Sequence, residues 1–160
     1  MANQVTFKTA QICESGHVIT AYFENSPDLE EDHCSKCGMK TLLKCPQCKA
    51  PIRGVDIYSL DETNYVRPAY CVACGGAYPW TQGALDAARD LARIELAEID
   101  RNELADIIEN LVADTPQTVV AASRFRRIMG KVTPTVAEGF KAILINVASE
   151  AAKKAMFPGK

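Results

Sequence analysis

The sequence lacks the motifs by which the common enzyme classes announce themselves. It has no Gly-rich phosphate loop, no nucleophile elbow, no HExxH helix and no paired-carboxylate motif, so the expectation is a chain that is not an enzyme. Its start, MANQVTFKTA, lacks a basic stretch followed by an apolar run, so the expectation is no secretory leader, no membrane anchor and cytoplasmic residence. No repeat of solenoid length is present, and no cysteine follows Cys74. What remains is 160 residues, 48% of them hydrophobic and 24% charged, the composition of a folded, water-soluble chain with room for one ordinary domain or two small ones.

All seven cysteines stand in the first half. An odd number, no leader and three Cys-x2-Cys pairs argue for metal in a reducing compartment rather than for disulfides. In order, the candidate ligands are Cys13, His17, Cys34, Cys37, Cys45, Cys48, Cys71 and Cys74. The first pair is Cys-x3-His and the other three have knuckle spacing, which lets two thiolates reach one ion from a tight turn. Gly38 and Gly75 follow two of the knuckles, where a residue tolerant of positive φ is often needed. Eight donors fill two tetrahedral sites with none left over. Sequential pairing gives one site of three thiolates and an imidazole and another of four thiolates, while a cross-braced pairing of first with third and second with fourth stays open. His33 is the rival imidazole, but it adjoins Cys34 and would need a cramped turn. Four protein donors leave no open position for water, so the expectation is two structural Zn2+ ions, with iron as the alternative.

After Trp80 the texture becomes alanine-rich, with apolar residues at helical spacing. This divides the chain into 1–80 and 81–160. About four helices are predicted. The first runs from an N-cap at Thr81 through Leu85, Leu91 and Ile94. The second starts at Asp100, with Glu103 as its capping-box partner and Leu104, Ile107, Ile108, Leu111 and Val112 on one face. Thr115-Pro116 and Thr133-Pro134 open the third and fourth. Ala121, Phe125, Ile128 and Met129 form the apolar face of the third. Val136, Phe140, Ile143, Leu144, Val147 and Ala151 form that of the fourth, which Met156 and Phe157 extend. The fold class is therefore α+β: a small N-terminal tandem zinc ribbon of short antiparallel strands, then a C-terminal bundle of about four α-helices.

Charge is uneven. Residues 81–114 hold 3 Lys+Arg against 9 Asp+Glu, a formal −6, whereas residues 115–160 hold 8 against 2, a formal +6. Arg124, Arg126, Arg127 and Lys131 on the third helix are the candidate interaction residues, and the acidic block offers them a nearer partner than any phosphate.

The runs CPQCKAPIRG and CVACGGAYPWT, followed by VVAASRF and FKAILINVASEAAKK, resemble an uncharacterised family of bacterial double zinc-ribbon proteins. The resemblance covers most of the chain. It implies the same cysteine and histidine ligands and a ribbon-plus-helices layout, with no established activity. The leading expectation of function is thus a zinc-binding adaptor that recognises a protein partner or itself and touches no membrane. Nucleic-acid binding through the third helix is the runner-up, against which stand a pI near 5.7 and the sparseness of Lys49, Arg53 and Arg67 in the first half.

Overall fold

Short strands are what a segment punctuated by Pro, Gly and Asn every few residues can form, and the described residues of the first half contain five of them. The structure, a computed structural model, describes residues 6–59 and 61–159. Strand β1 (Phe7–Thr9) pairs antiparallel with β5 (Arg53–Asp56), and β2 (Gln11–Cys13) lies between β3 (Val18–Thr20) and β4 (Thr41–Leu42), antiparallel to both. Two 3-10 turns, Phe23–Asn25 and Pro27–Leu29, follow β3. The apolar core beneath is small: Ala10, Ile12, Ile52, Tyr78 and Trp80, closed by the backs of Cys45 and Cys71. Tyr78 and Trp80 stack with ring centroids 4.5 Å apart, so these two aromatic residues serve as core.

Among the described residues five helices follow: α1 (Pro79–Glu95), α2 (Glu98–Val112), α3 (Thr118–Met129), α4 (Pro134–Leu144) and α5 (Glu150–Met156). The chain divides into two compact units, one ending at Thr81 and the other beginning at Gln82. In the second, α3 packs against both α2 and α5, Phe125 meets Phe140 edge-on at 6.0 Å, and Gly139 of α4 lies under Leu91 of α1. Leu104, Ile107, Ile108, Leu111 and Val112 are all buried, as the spacing on α2 predicts. The α+β class, with strands first and helices after, is as expected.

Several local expectations are corrected. Helix α1 starts at Pro79, and Thr81 is no cap: it is fully buried, and its hydroxyl donates to the Ala69 carbonyl at 2.8 Å. Ile94 is 70% exposed, and the buried face of α1 runs through Leu85, Ala88 and Ala92, because alanine, not only the larger residues, marks the inward side. Asp100 lies inside α2 rather than at its cap, which is Ala97. Thr115 accepts the Gln117 amide in a local turn, and α3 begins three residues later at Thr118. The expected fourth helix is two. Its continuation breaks after Leu144, and Ser149 starts α5 by accepting the Ala152 amide at 3.2 Å. That break moves the buried position from Ala151 to Ala152, while Met156 is buried as expected.

Candidate metal centres

Three of the four ligand pairs share one local design. In the knuckles that begin at Cys34, Cys45 and Cys71, the first cysteine's amide bonds to the carbonyl five residues on, at 2.8 Å in each. Its own carbonyl accepts from the amide four residues on, in Gly38, Lys49 and Gly75 at 2.7, 2.9 and 2.8 Å. The bridges His33–Lys40, Lys44–Pro51 and Tyr70–Ala77 close each knuckle from outside. The fourth residue along sits in the left-handed region each time, with φ of 74° at Gly38, 65° at Lys49 and 73° at Gly75. This turn aims both cysteine sulfurs the same way. The remaining pair sits on the β2–β3 hairpin, where the Cys13 amide bonds to the His17 carbonyl at 3.0 Å and the His17 amide reaches the Cys13 sulfur at 3.2 Å.

Folding brings these donors into two clusters: Cys13, His17, Cys34 and Cys37, and Cys45, Cys48, Cys71 and Cys74, with all donor atoms of a cluster within 4.8 Å of one another. Pairing is therefore sequential, not cross-braced. His33 is exposed and belongs to neither cluster; its backbone bridges Lys40.

The geometry can be tested against a metal ion. Sulfurs about 2.3 Å from a tetrahedral centre stand about 3.8 Å apart, and a sulfur and an imidazole nitrogen stand about 3.6 Å apart. Cys45–Cys74 and Cys48–Cys71 are separated by 3.8 and 3.6 Å, Cys13–Cys37 by 3.7 Å, and His17 Nδ1 is 3.6 Å from both Cys13 and Cys34. The donors fit an ion of that size, and each cluster has the four that a closed centre requires.

Backbone amides already favour thiolate in places. The amide of Met39 holds the Cys37 thiol down at about 6, and those of Cys74 and Ala73 hold Cys71 at about 6. At Cys48 the amide of Ala50 is outweighed by desolvation and by three thiol neighbours, which raise it to about 11. Burial pushes Cys13 up. A bound cation would remove the thiol–thiol conflict, since a coordinated thiol loses its proton outright.

Residues not singled out as site residues from the sequence share the unit that holds these clusters. The Tyr78 hydroxyl is buried with no oxygen or nitrogen partner among the described residues, and desolvation and the nearby Cys71 and Cys45 push its pKa up. Lys49 donates to the Pro46 carbonyl at 2.9 Å, Arg53 lies 4.2 Å over the Phe7 ring, and Arg67 donates to the Gly16 carbonyl at 2.7 Å. These cations, sparse in the sequence, are occupied within their own unit.

The candidate interaction residues lie in the helical unit. Arg124 donates to Glu103 at 2.8 Å, Arg127 donates to the same carboxylate oxygen, and Lys131 donates to Asp100 at 2.6 Å. Arg126 is exposed and has no such partner among the described residues. Asp100 and Glu103, expected as a capping box, are instead the anions of these pairs. Among the described residues, no helix is long and apolar enough to cross a membrane.

Neither the curated proteins nor the solved structures contain a match to the chain. A family model described as "Uncharacterized protein conserved in bacteria (DUF2321)" matches residues 6–156. On that span, which takes in both clusters and all five helices, the chain belongs to this bacterial family.

Proposed function

We propose that the protein is a non-enzymatic interaction module whose first half is a double zinc ribbon held by two structural Zn2+ ions. The observation that carries the reading is the closure of both clusters: four protein donors each, at tetrahedral spacing, leave no coordination position for a substrate. Zinc rather than iron suits a centre that mixes an imidazole with thiolates. The core beneath the clusters is thin, and zinc adds on the order of 10–16 kcal/mol to the folding of small domains, which is the need a structural ion meets. The binding function follows from the absence of catalytic motifs, and its partner is a protein or a second copy of the chain. Nucleic acid is the weaker reading, because Arg124, Arg127 and Lys131 are taken up by Glu103 and Asp100.

Elemental analysis of the purified chain tests the metal reading: two zinc ions per chain are expected, with thiols protected from labelling. A ratio near one, or freely labelled thiols, rejects it. Filter binding to oligonucleotides at two salt concentrations, beside sedimentation and cross-linking, tests the partner class. A strong, salt-dependent oligonucleotide affinity would put nucleic acid first.

A further inference from the structure

Arg67 reaches the first cluster from 51 positions along the chain, by donating from Nη1 to the Gly16 carbonyl at 2.7 Å. Gly16 is the residue between the two arms of the Cys13–His17 turn, and its amide bonds to the Cys13 carbonyl at 2.8 Å. Its φ of +90° suits glycine, and a Cβ there would stand 2.9 Å from Arg67 Cζ and 2.8 Å from Trp80 Cβ. The turn is shaped so that a guanidinium can lie against it. Arg67 is itself held in place. The next carbonyl, of Pro68, accepts the Trp80 indole at 2.9 Å, and that of Ala69 accepts the Thr81 hydroxyl at 2.8 Å. Tyr70 then opens the knuckle of Cys71 and Cys74.

Charge gives this contact a purpose. Three thiolates, a neutral imidazole and a divalent ion sum to a formal −1, which one guanidinium balances. Burial lowers the Arg67 pKa and the Cys13 thiolate opposes that shift, and an arginine stays protonated in either case.

We infer that Arg67 is a positioning residue for the Cys13–His17–Cys34–Cys37 centre, orienting its ligand turn and balancing its charge from the segment that leads into the other centre. The inference rests on the proposal that both clusters bind a divalent metal. Residues around ligands tune metal affinity by about 10–100-fold, and an effect of that size at one centre alone is the expected signature.

The test loads the full chain with Co2+, whose absorption distinguishes a centre containing an imidazole from one made of thiolates alone, and follows loss to EDTA in wild type, Arg67→Met and Arg67→Lys. Arg67→Met should lose cobalt from the histidine-containing centre about 10–100-fold faster while the all-thiolate centre holds it as in wild type. Arg67→Lys, which keeps the charge but not the planar fork, should fall between. Equal loss from wild type and Arg67→Met, or equal acceleration at both centres, overturns the role of Arg67. A wild-type chain that takes up fewer than two cobalt ions overturns the two-centre reading beneath it, and is seen before any variant is compared.

Discussion

Lys49 holds the position that Gly38 and Gly75 hold in the other knuckles, at a φ of 65°. A side chain in the left-handed region costs about 1 kcal/mol relative to glycine. Lys49→Gly should therefore raise the stability of the metal-loaded chain by up to about 1 kcal/mol, while Gly75→Ala should lower it by about 1 kcal/mol. Gly75 isolates the backbone effect, since a Cβ there meets nothing within 4 Å. Urea midpoints read both changes, and a loss of stability in Lys49→Gly would show that the lysine's bond to Pro46 outweighs its strain. The glycines after Cys37 and Cys74 are visible in the sequence as turn signals. Lys49 is not, because nothing in a lysine announces its φ; only the bond from its amide to the Cys45 carbonyl does.

The pairs that α2 makes with α3 and with Lys131, which lies beyond the end of α3 rather than on it as expected, are unequal. Arg124 and Arg127 are 44% and 62% exposed, so solvent and salt screen much of their attraction to the half-buried Glu103. Reversing Arg124 and Arg127 to glutamate should shift the melting temperature only modestly. Asp100 is 8% exposed, so Lys131→Met leaves a buried carboxylate without its cation and should cost about 1–3 kcal/mol. Differential scanning calorimetry ranks the two, and the reverse order would mean that Asp100 is solvated. Ser149→Ala, which removes the cap of α5, should cost about 1 kcal/mol by the same measurement. Acid should act here too. Hydrogen bonding from Arg124 lowers the Glu103 pKa, and the Thr133 amide lowers that of Glu95. The stability these groups contribute is present above their unfolded pKa of about 4.3 and is lost as pH falls through the depressed folded values. Melting temperatures that stay flat from about pH 5 to about pH 3 would reject this.

At the scale of the molecule, the two compact units have different sources of stability. On the proposed metal reading the first leans on its clusters, whereas the second buries apolar faces such as those of Phe125, Phe140 and Leu111. Chelation should therefore unfold the first unit and leave most helical circular dichroism in place. Parallel loss of the helical signal would mean one cooperative unit. Cys45→Ser or Cys71→Ser should reproduce chelation at the second centre, with helical content largely kept.

By itself the sequence determined the eight candidate donors that folding gathers into clusters, since donor type and spacing are local properties of a chain. It also determined the order of strands before helices and the buried face of α2, whose period is carried by large apolar residues. Tertiary structure decided the rest. Sequential pairing of the knuckles depends on which turns approach, and eight donors divide into two sets in more than one way. Thr81, Asp100 and Glu103 have residue types that suit caps, and only their distant partners, the Ala69 carbonyl, Lys131 and the two arginines, draw them elsewhere. The break before Ser149 escapes the period because Val147 is buried on both readings. Arg67 looks like any surface cation until folding lays it on Gly16, for a contact across 51 positions leaves no mark in either neighbourhood of the sequence.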